Sequence, residues 1–67
     1  MSDIILNGAP LPLPSPITVA ALLEQQGMAG KRVAVERNGE IVPKSQHATT
    51  KLEADDRLEI VVAVGGG

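Results

Sequence analysis

Short β-type runs of alternating hydrophobic and polar residues occupy both ends of the chain, with one helical stretch between them. Asp3-Ile4-Ile5-Leu6-Asn7 is the first such run, and Asn7-Gly8 ends it with a dipeptide that favours a tight turn. Prolines then stand at every second position: Pro10, Pro12, Pro14 and Pro16. In an extended segment, alternate residues send their N–H groups to the same side. The missing donors therefore fall on one edge and leave Leu11 and Leu13 to pair with the first strand, which suits an edge strand. A polyproline segment of Pro-x-x-Pro type has a similar pattern, but a domain this small has little chain to spare for a separate ligand.

Thr18 fits a helix N-cap, and Val19, Leu22 and Leu23 follow at helical spacing. Ile17 and Leu22 occupy the two positions of a hydrophobic staple, and Gly27 suits the left-handed position after a helix. The spacing predicts one amphipathic helix over residues 18–26. Residues 31–37 alternate again, with Val33 and Val35 on one face and Arg32, Ala34 and Glu36 on the other. Asn38-Gly39 is a strong hairpin signal, and residues 40–42 make the return strand, which Pro43 stops. A loose turn, of 3₁₀ type, is expected over 44–48, then a short extended piece over 49–52. The last strand, 57–64, sets Leu58, Ile60, Val62 and Val64 against Glu59, Val61 and Ala63.

Strand, strand, helix, strand, strand, strand is an α+β order. One helix on one face of a mixed five-stranded sheet can bury an aliphatic core with few residues. The first and last strands would pair in parallel at the centre, flanked by the two hairpins, in a β-grasp (ubiquitin-like) layout. Residues 1–64 form the domain and 65–67 a flexible glycine tail.

Composition narrows the possibilities. Sixty-seven residues make one domain, and a chain of this size buries only roughly 60% of its unfolded surface. There is no Cys and one His, His47, so disulfides are excluded and a standard structural zinc site lacks ligands. Aromatic residues are absent while 43% of residues are hydrophobic, so the core is aliphatic. The net charge of −2 comes with scattered Lys and Arg, without the basic patch and stacking aromatics of a nucleic-acid binder. The apolar stretch 58–64 is interrupted by Glu59 and too short to span a bilayer. The start carries Asp3 where a signal peptide would have a basic flank and a long apolar run. A cytoplasmic protein is expected.

Ile4-x-Leu6-Asn7-Gly8, Thr18-Val19-x-x-Leu22-Leu23 and Val33-Ala34-Val35-x-x-Asn38-Gly39-x-Ile41-Val42-Pro43 together resemble the ThiS family, the sulfur carriers of thiamine biosynthesis. The ending Asp56-Arg57-Leu58-Glu59-Ile60-Val61-x-Ala63-Val64-Gly65-Gly66-Gly67 is similar to that family as well. Each motif alone is weak, but their order, spacing and terminal position are specific. The chain departs from the family in two places. Many relatives have a Trp shortly after the Val-Pro segment, where this chain has Gln46-His47-Ala48, and the proline run 10–16 is unusual.

The resemblance implies that a ThiF-like enzyme uses ATP to adenylate Gly67. A sulfur-donor protein then converts it to a thiocarboxylate, and a thiazole synthase (ThiG-like) takes the sulfur into the thiamine thiazole. The carrier binds no cofactor or metal and supplies no catalytic side chain; it is a cosubstrate. The chemistry has a physical rationale. An α-carboxylate is ionised at neutral pH and is a poor acyl donor until activated. Three residues beyond Val64 reach about 10 Å when extended. Gly65, Gly66 and Gly67 have no Cβ to obstruct a narrow channel or attack on the carbonyl. A frayed terminus or cloning scar would look the same if the triplet stood alone.

Partner docking is expected on the open sheet face, where Ile5, Ala34, Val61 and Ala63 would cluster as an aliphatic patch. Glu53, Asp55, Asp56 and Glu59 read as a solvated turn that could steer a basic partner, and His47 as an ordinary surface or turn histidine. Three other functions remain open on the residues. One is the small subunit of molybdopterin synthase, another β-grasp carrier ending in Gly-Gly. The others are a ubiquitin-like protein modifier and a plain interaction domain.

Overall fold

Two hairpins, one helix and a final strand account for residues 2–13 and 15–62, which are those described by the computed structural model. The first hairpin joins β1 (Ser2–Leu6) to β2 (Ala9–Leu13), and α1 (Val19–Gln25) follows. The second joins β3 (Val33–Arg37) to β4 (Glu40–Ile41); a 3₁₀ turn at Lys44–Gln46 leads on to β5 (Arg57–Val62). The sheet order is β2-β1-β5-β3-β4. β1 and β5 run parallel at the centre, and the remaining pairs are antiparallel. This is the expected β-grasp arrangement.

Both hairpins turn on the same dipeptide. Asn7 and Gly8 have φ of 50° and 84°, and Asn38 and Gly39 have 52° and 85°. Two consecutive left-handed residues give the turn whose twist matches paired strands, and Asn and Gly tolerate that conformation best. In the first hairpin Pro10 lies opposite Ile5 and Pro12 opposite Asp3. β2 has a neighbour on one side only, so prolines aimed at its free edge cost no ladder bond. Pro14 lies outside the described residues.

The helix is short and carefully terminated. Thr18 caps it, its hydroxyl accepting from the Ala21 N–H at 3.1 Å. The Val19 and Ala20 N–H groups donate to the Thr50 and His47 carbonyls, both at 2.9 Å. Donors that a helix start leaves unpaired are thus taken up by the loop after the 3₁₀ turn. At the other end Gly27 has φ of 71°. Met28 N–H returns to Leu23 O at 2.8 Å and Gly27 N–H to Glu24 O at 3.1 Å, the paired bonds of a Schellman motif.

Val19, Leu22 and Leu23 of the helix pack with Ile4, Leu13, Val35, Leu58 and Ile60 of the sheet and with Val42 and Leu52 from the loops. Several expectations shift in detail. β3 begins at Val33 because Lys31 N–H turns back to Met28 O and Gly30 has φ of 82°. The extended piece over 49–52 contributes a single bridge, Thr18 to Lys51. Val62, expected on the covered face, is 42% exposed, whereas Leu58 is 1% and Ile60 6% exposed. A seven-residue helix is about 10 Å long, too short to cover β5 to its end. Val64, the last residue expected on that face, lies outside the described residues.

His47 corrects a second expectation. It stands in a turn but not at the surface: only 8% of it is exposed, and its Nε2 lies 3.1 Å from the Val42 carbonyl. A carbonyl can only accept, so Nε2 carries the proton and donates.

Candidate docking and presentation site

β5 carries the chain toward Gly65, Gly66 and Gly67, so what holds that strand and what its outer face presents define the candidate site. Alternation sends Leu58 and Ile60 into the core and Arg57, Glu59 and Val61 to the bare face. The register then composes that face. Val61 stands opposite Ala34, Glu59 opposite Glu36, and Glu36 in turn opposite Ile41. Ala34 is exposed, and Val61 and Ile41 are each 63% exposed.

Of the expected docking residues, Ala34 and Val61 are therefore direct neighbours. Ile5 is half-buried and sits lower on the same face, between Pro10 of β2 and Arg57 of β5. Arg57 is four positions before Val61, or about 13 Å along a strand, so Ile5 does not join the Ala34–Val61 pair. Ala63, Gly65, Gly66 and Gly67 lie outside the described residues. Ile41 was not anticipated, although hairpin arithmetic exposes it. A two-residue Asn38-Gly39 turn pairs Arg37 with Glu40 and Glu36 with Ile41, and a residue opposite outward-facing Glu36 must face outward too.

The start of β5 is polar and heavily bonded. Asp56 is buried, with 6% exposure, which corrects its reading as part of a solvated turn. Its Oδ2 accepts from Arg37 Nε and from the Glu53 N–H, both at 2.8 Å, and its Oδ1 accepts from Asn38 Nδ2 at 3.1 Å. Arg37 also reaches Glu53 at 3.2 Å. Burial pushes the Asp56 carboxyl up, but the Glu53 N–H, the Arg37 and Asn38 side chains and the Arg37 charge together outweigh it. The group is held below the ordinary aspartate range. Nothing in the order Ala54-Asp55-Asp56 marks which aspartate turns inward. Asp55 takes the left-handed position, with φ of 68°, and its N–H donates to Asp3 O at 2.9 Å. That turn swings Asp56 under Arg37.

Both turn asparagines also grip β5. Asn38 accepts from Arg57 N–H through Oδ1 at 2.9 Å, and its own N–H donates to Arg57 O at 2.8 Å. Asn7 donates its N–H to Leu58 O at 2.9 Å and engages Ile60 through its side chain. On the helix side a groove of about 620 Å³ is lined by Leu23, Met28, Val33, Lys44 and His47. Among the described residues no group of three or more His, Cys, Asp or Glu is placed to hold a metal ion. No helix among them is long and apolar enough to cross a membrane.

Comparison with known proteins agrees with this architecture. A family model described as the ThiS family matches residues 4–67. A thiazole synthase of Paramagnetospirillum magneticum is 45% identical over 64 residues, covering 96% of this chain and 20% of that protein. A second, from Magnetococcus marinus, is 39% identical over 92% of this chain and 19% of its own length. The chain thus spans about a fifth of the length of these two relatives. An uncharacterized protein, ycf40, of Pyropia yezoensis is 38% identical, covering 97% of this chain and 92% of that protein. The crystal structure of the thiamine biosynthesis protein ThiS from Geobacter metallireducens superposes with a TM-score of 0.82 at 28% identity. The superposition covers 97% of this chain and 99% of that one.

Proposed function

Because the chain belongs to the ThiS family, we propose that it is a sulfur carrier of thiamine biosynthesis whose reactive group is the carboxylate of Gly67. In a form of the protein where that carboxylate is free, the expected first step is attack of its oxygen on the α-phosphorus of ATP in a ThiF-like enzyme. Pyrophosphate leaves, and the product is an acyl adenylate. Sulfur from a sulfur-donor protein then displaces AMP from the acyl carbon, either as hydrosulfide or as a persulfide whose S–S bond a thiol reductant afterwards cleaves, giving the thiocarboxylate from which a thiazole synthase takes the sulfur.

The observation that carries this proposal is the extent of the family match, which continues past β5 to Gly67. The described part of the chain adds physical support. The start of β5 is fixed by buried polar bonds, while its far end presents Val61 and Val62 to solvent. A protein cosubstrate has to hold its body rigid and offer its acyl end to another enzyme's catalytic groups. The relatives named thiazole synthase support a thiazole-forming partner, since a similar segment forms part of those longer proteins.

The test is intact-mass analysis after incubation with a ThiF-like enzyme, ATP and a sulfur donor. Exchange of one terminal oxygen for sulfur is expected. An unchanged mass, with an enzyme shown to be active on another carrier, would refute the proposal. Rescue of a thiamine auxotroph and not of a molybdenum-cofactor mutant assigns the pathway.

A further inference from the structure

The turn residue Asn7 does more than reverse the chain. β1 ends at Leu6, and its parallel register with β5 covers only Ile5 to Arg57 and Leu6 to Leu58. Leu58 directs its carbonyl toward β1, where Asn7 N–H donates to it at 2.9 Å. Two residues further along β5, Ile60 directs its polar backbone to the same side. No β1 residue remains to meet it, because the chain has already turned at Gly8.

The Asn7 side chain fills that position. Its Oδ1 accepts from Ile60 N–H at 2.8 Å and its Nδ2 donates to Ile60 O at 3.3 Å. A carboxamide has the donor and acceptor of a peptide group in one plane, so it can stand in for one more residue of β1. Few residues could do this. A φ of 50° favours Gly, Asn or Asp; Gly has neither group, and Asp lacks the donor. Asn alone among the three satisfies both the turn and the strand.

From this geometry we propose that Asn7 is a positioning residue for the carrier reaction. It fixes the backbone of β5 at Ile60, immediately before the exposed Val61 and Val62, and so holds the end of the strand that precedes the reactive terminus. The proposal rests on the carrier reading above and assigns a residue to it. Asn38 provides an internal control. It occupies the equivalent turn position with nearly the same φ and also grips β5 by its side chain, but at Arg57, the opposite end of the strand.

The experiment compares Asn7→Gly with Asn38→Gly. Glycine keeps the left-handed turn in both cases and removes only the side-chain bonds. Adenylation is followed kinetically with a ThiF-like enzyme, at a temperature where circular dichroism shows every variant folded. N7G is expected to lower kcat roughly tenfold, through misaimed presentation, while KM stays within about twofold. N38G is expected to keep the kcat of the unaltered chain. N7D retains the acceptor for Ile60 N–H and should recover part of the loss. Equal kcat for N7G and the unaltered chain overturns the proposal, and so does an equal fall in N38G, which would reduce both asparagines to general stability. Failure of the unaltered chain to be adenylated defeats the carrier reading itself and this proposal with it.

Discussion

The two ends of β5 are built on opposite plans. At its start, Asp56 is buried and accepts three hydrogen bonds, from Arg37, Asn38 and the Glu53 backbone. At its far end, Val61 and Val62 are 63% and 42% exposed and face solvent in a sheet with no helix over them. Apolar residues left open in a chain of this size are poor stabilisers but good contact surface. Polar groups buried in a domain with a small aliphatic core are tolerable only when fully partnered. The strand is therefore anchored at one end and available at the other, as the proposed presentation of a terminal group to other enzymes requires.

The contrast predicts unequal responses to mutation. Asp56→Ala removes a buried carboxylate and leaves Arg37, Asn38 and Glu53 N–H without their acceptor. A loss of about 3 kcal/mol is expected, a large share of the stability of so small a domain, read as a shift in the urea midpoint. The same group gives the molecule an acid limit. Its carboxyl is held below its unfolded value, so its contribution is complete above the ordinary aspartate range. That contribution is lost as pH falls through the lowered folded value. Urea midpoints measured from neutral to acid pH should fall less steeply in Asp56→Asn than in the unaltered chain.

Asn7→Gly removes two hydrogen bonds to Ile60 and should cost about 1.5 kcal/mol. Val61→Asp sits at the open end and should change stability least, by under about 1 kcal/mol, while weakening binding to the adenylating enzyme at least roughly tenfold. Titration calorimetry alongside the urea melts checks both halves of that expectation. A Val61→Asp chain that unfolds would mean that the exposed end is structural after all, and the comparison would collapse.

Local chemistry explains which of these features could be read in advance. Asn7-Gly8, Asn38-Gly39, Thr18 and the alternate prolines set turns, cap and edge through bonds and dihedrals within a few residues of themselves, although the side-chain bonds from Asn7 and Asn38 to β5 span 53 and 19 residues. Their roles follow from their identities, and with them the strand order and parallel centre. Asp56 acts at a distance. The partners of Asp56 include Arg37 and Asn38, which are 19 and 18 residues away, and no short-range pattern identifies such a pair. His47 owes its burial to the loop folded around it, with Nε2 on the Val42 carbonyl, which the identity of the residue does not announce. Val62 lies on the expected face, opposite Val33, yet is exposed, because alternation assigns a face but not the length of the element covering it. The docking face was partly legible. Ala34 and Val61 meet as cross-strand partners, but the short parallel register keeps Ile5 apart, and Ile41 required counting through the turn.

Extension beyond Gly67 tests the central claim most directly. A chain lengthened by one uncleaved alanine, its mass verified, has the same body but no free glycine carboxylate at position 67. Thiazole formation with the adenylating enzyme, ATP, sulfur donor and thiazole synthase should fall to background, while circular dichroism and the urea midpoint stay unchanged. Undiminished thiazole formation by the extended chain would contradict the account.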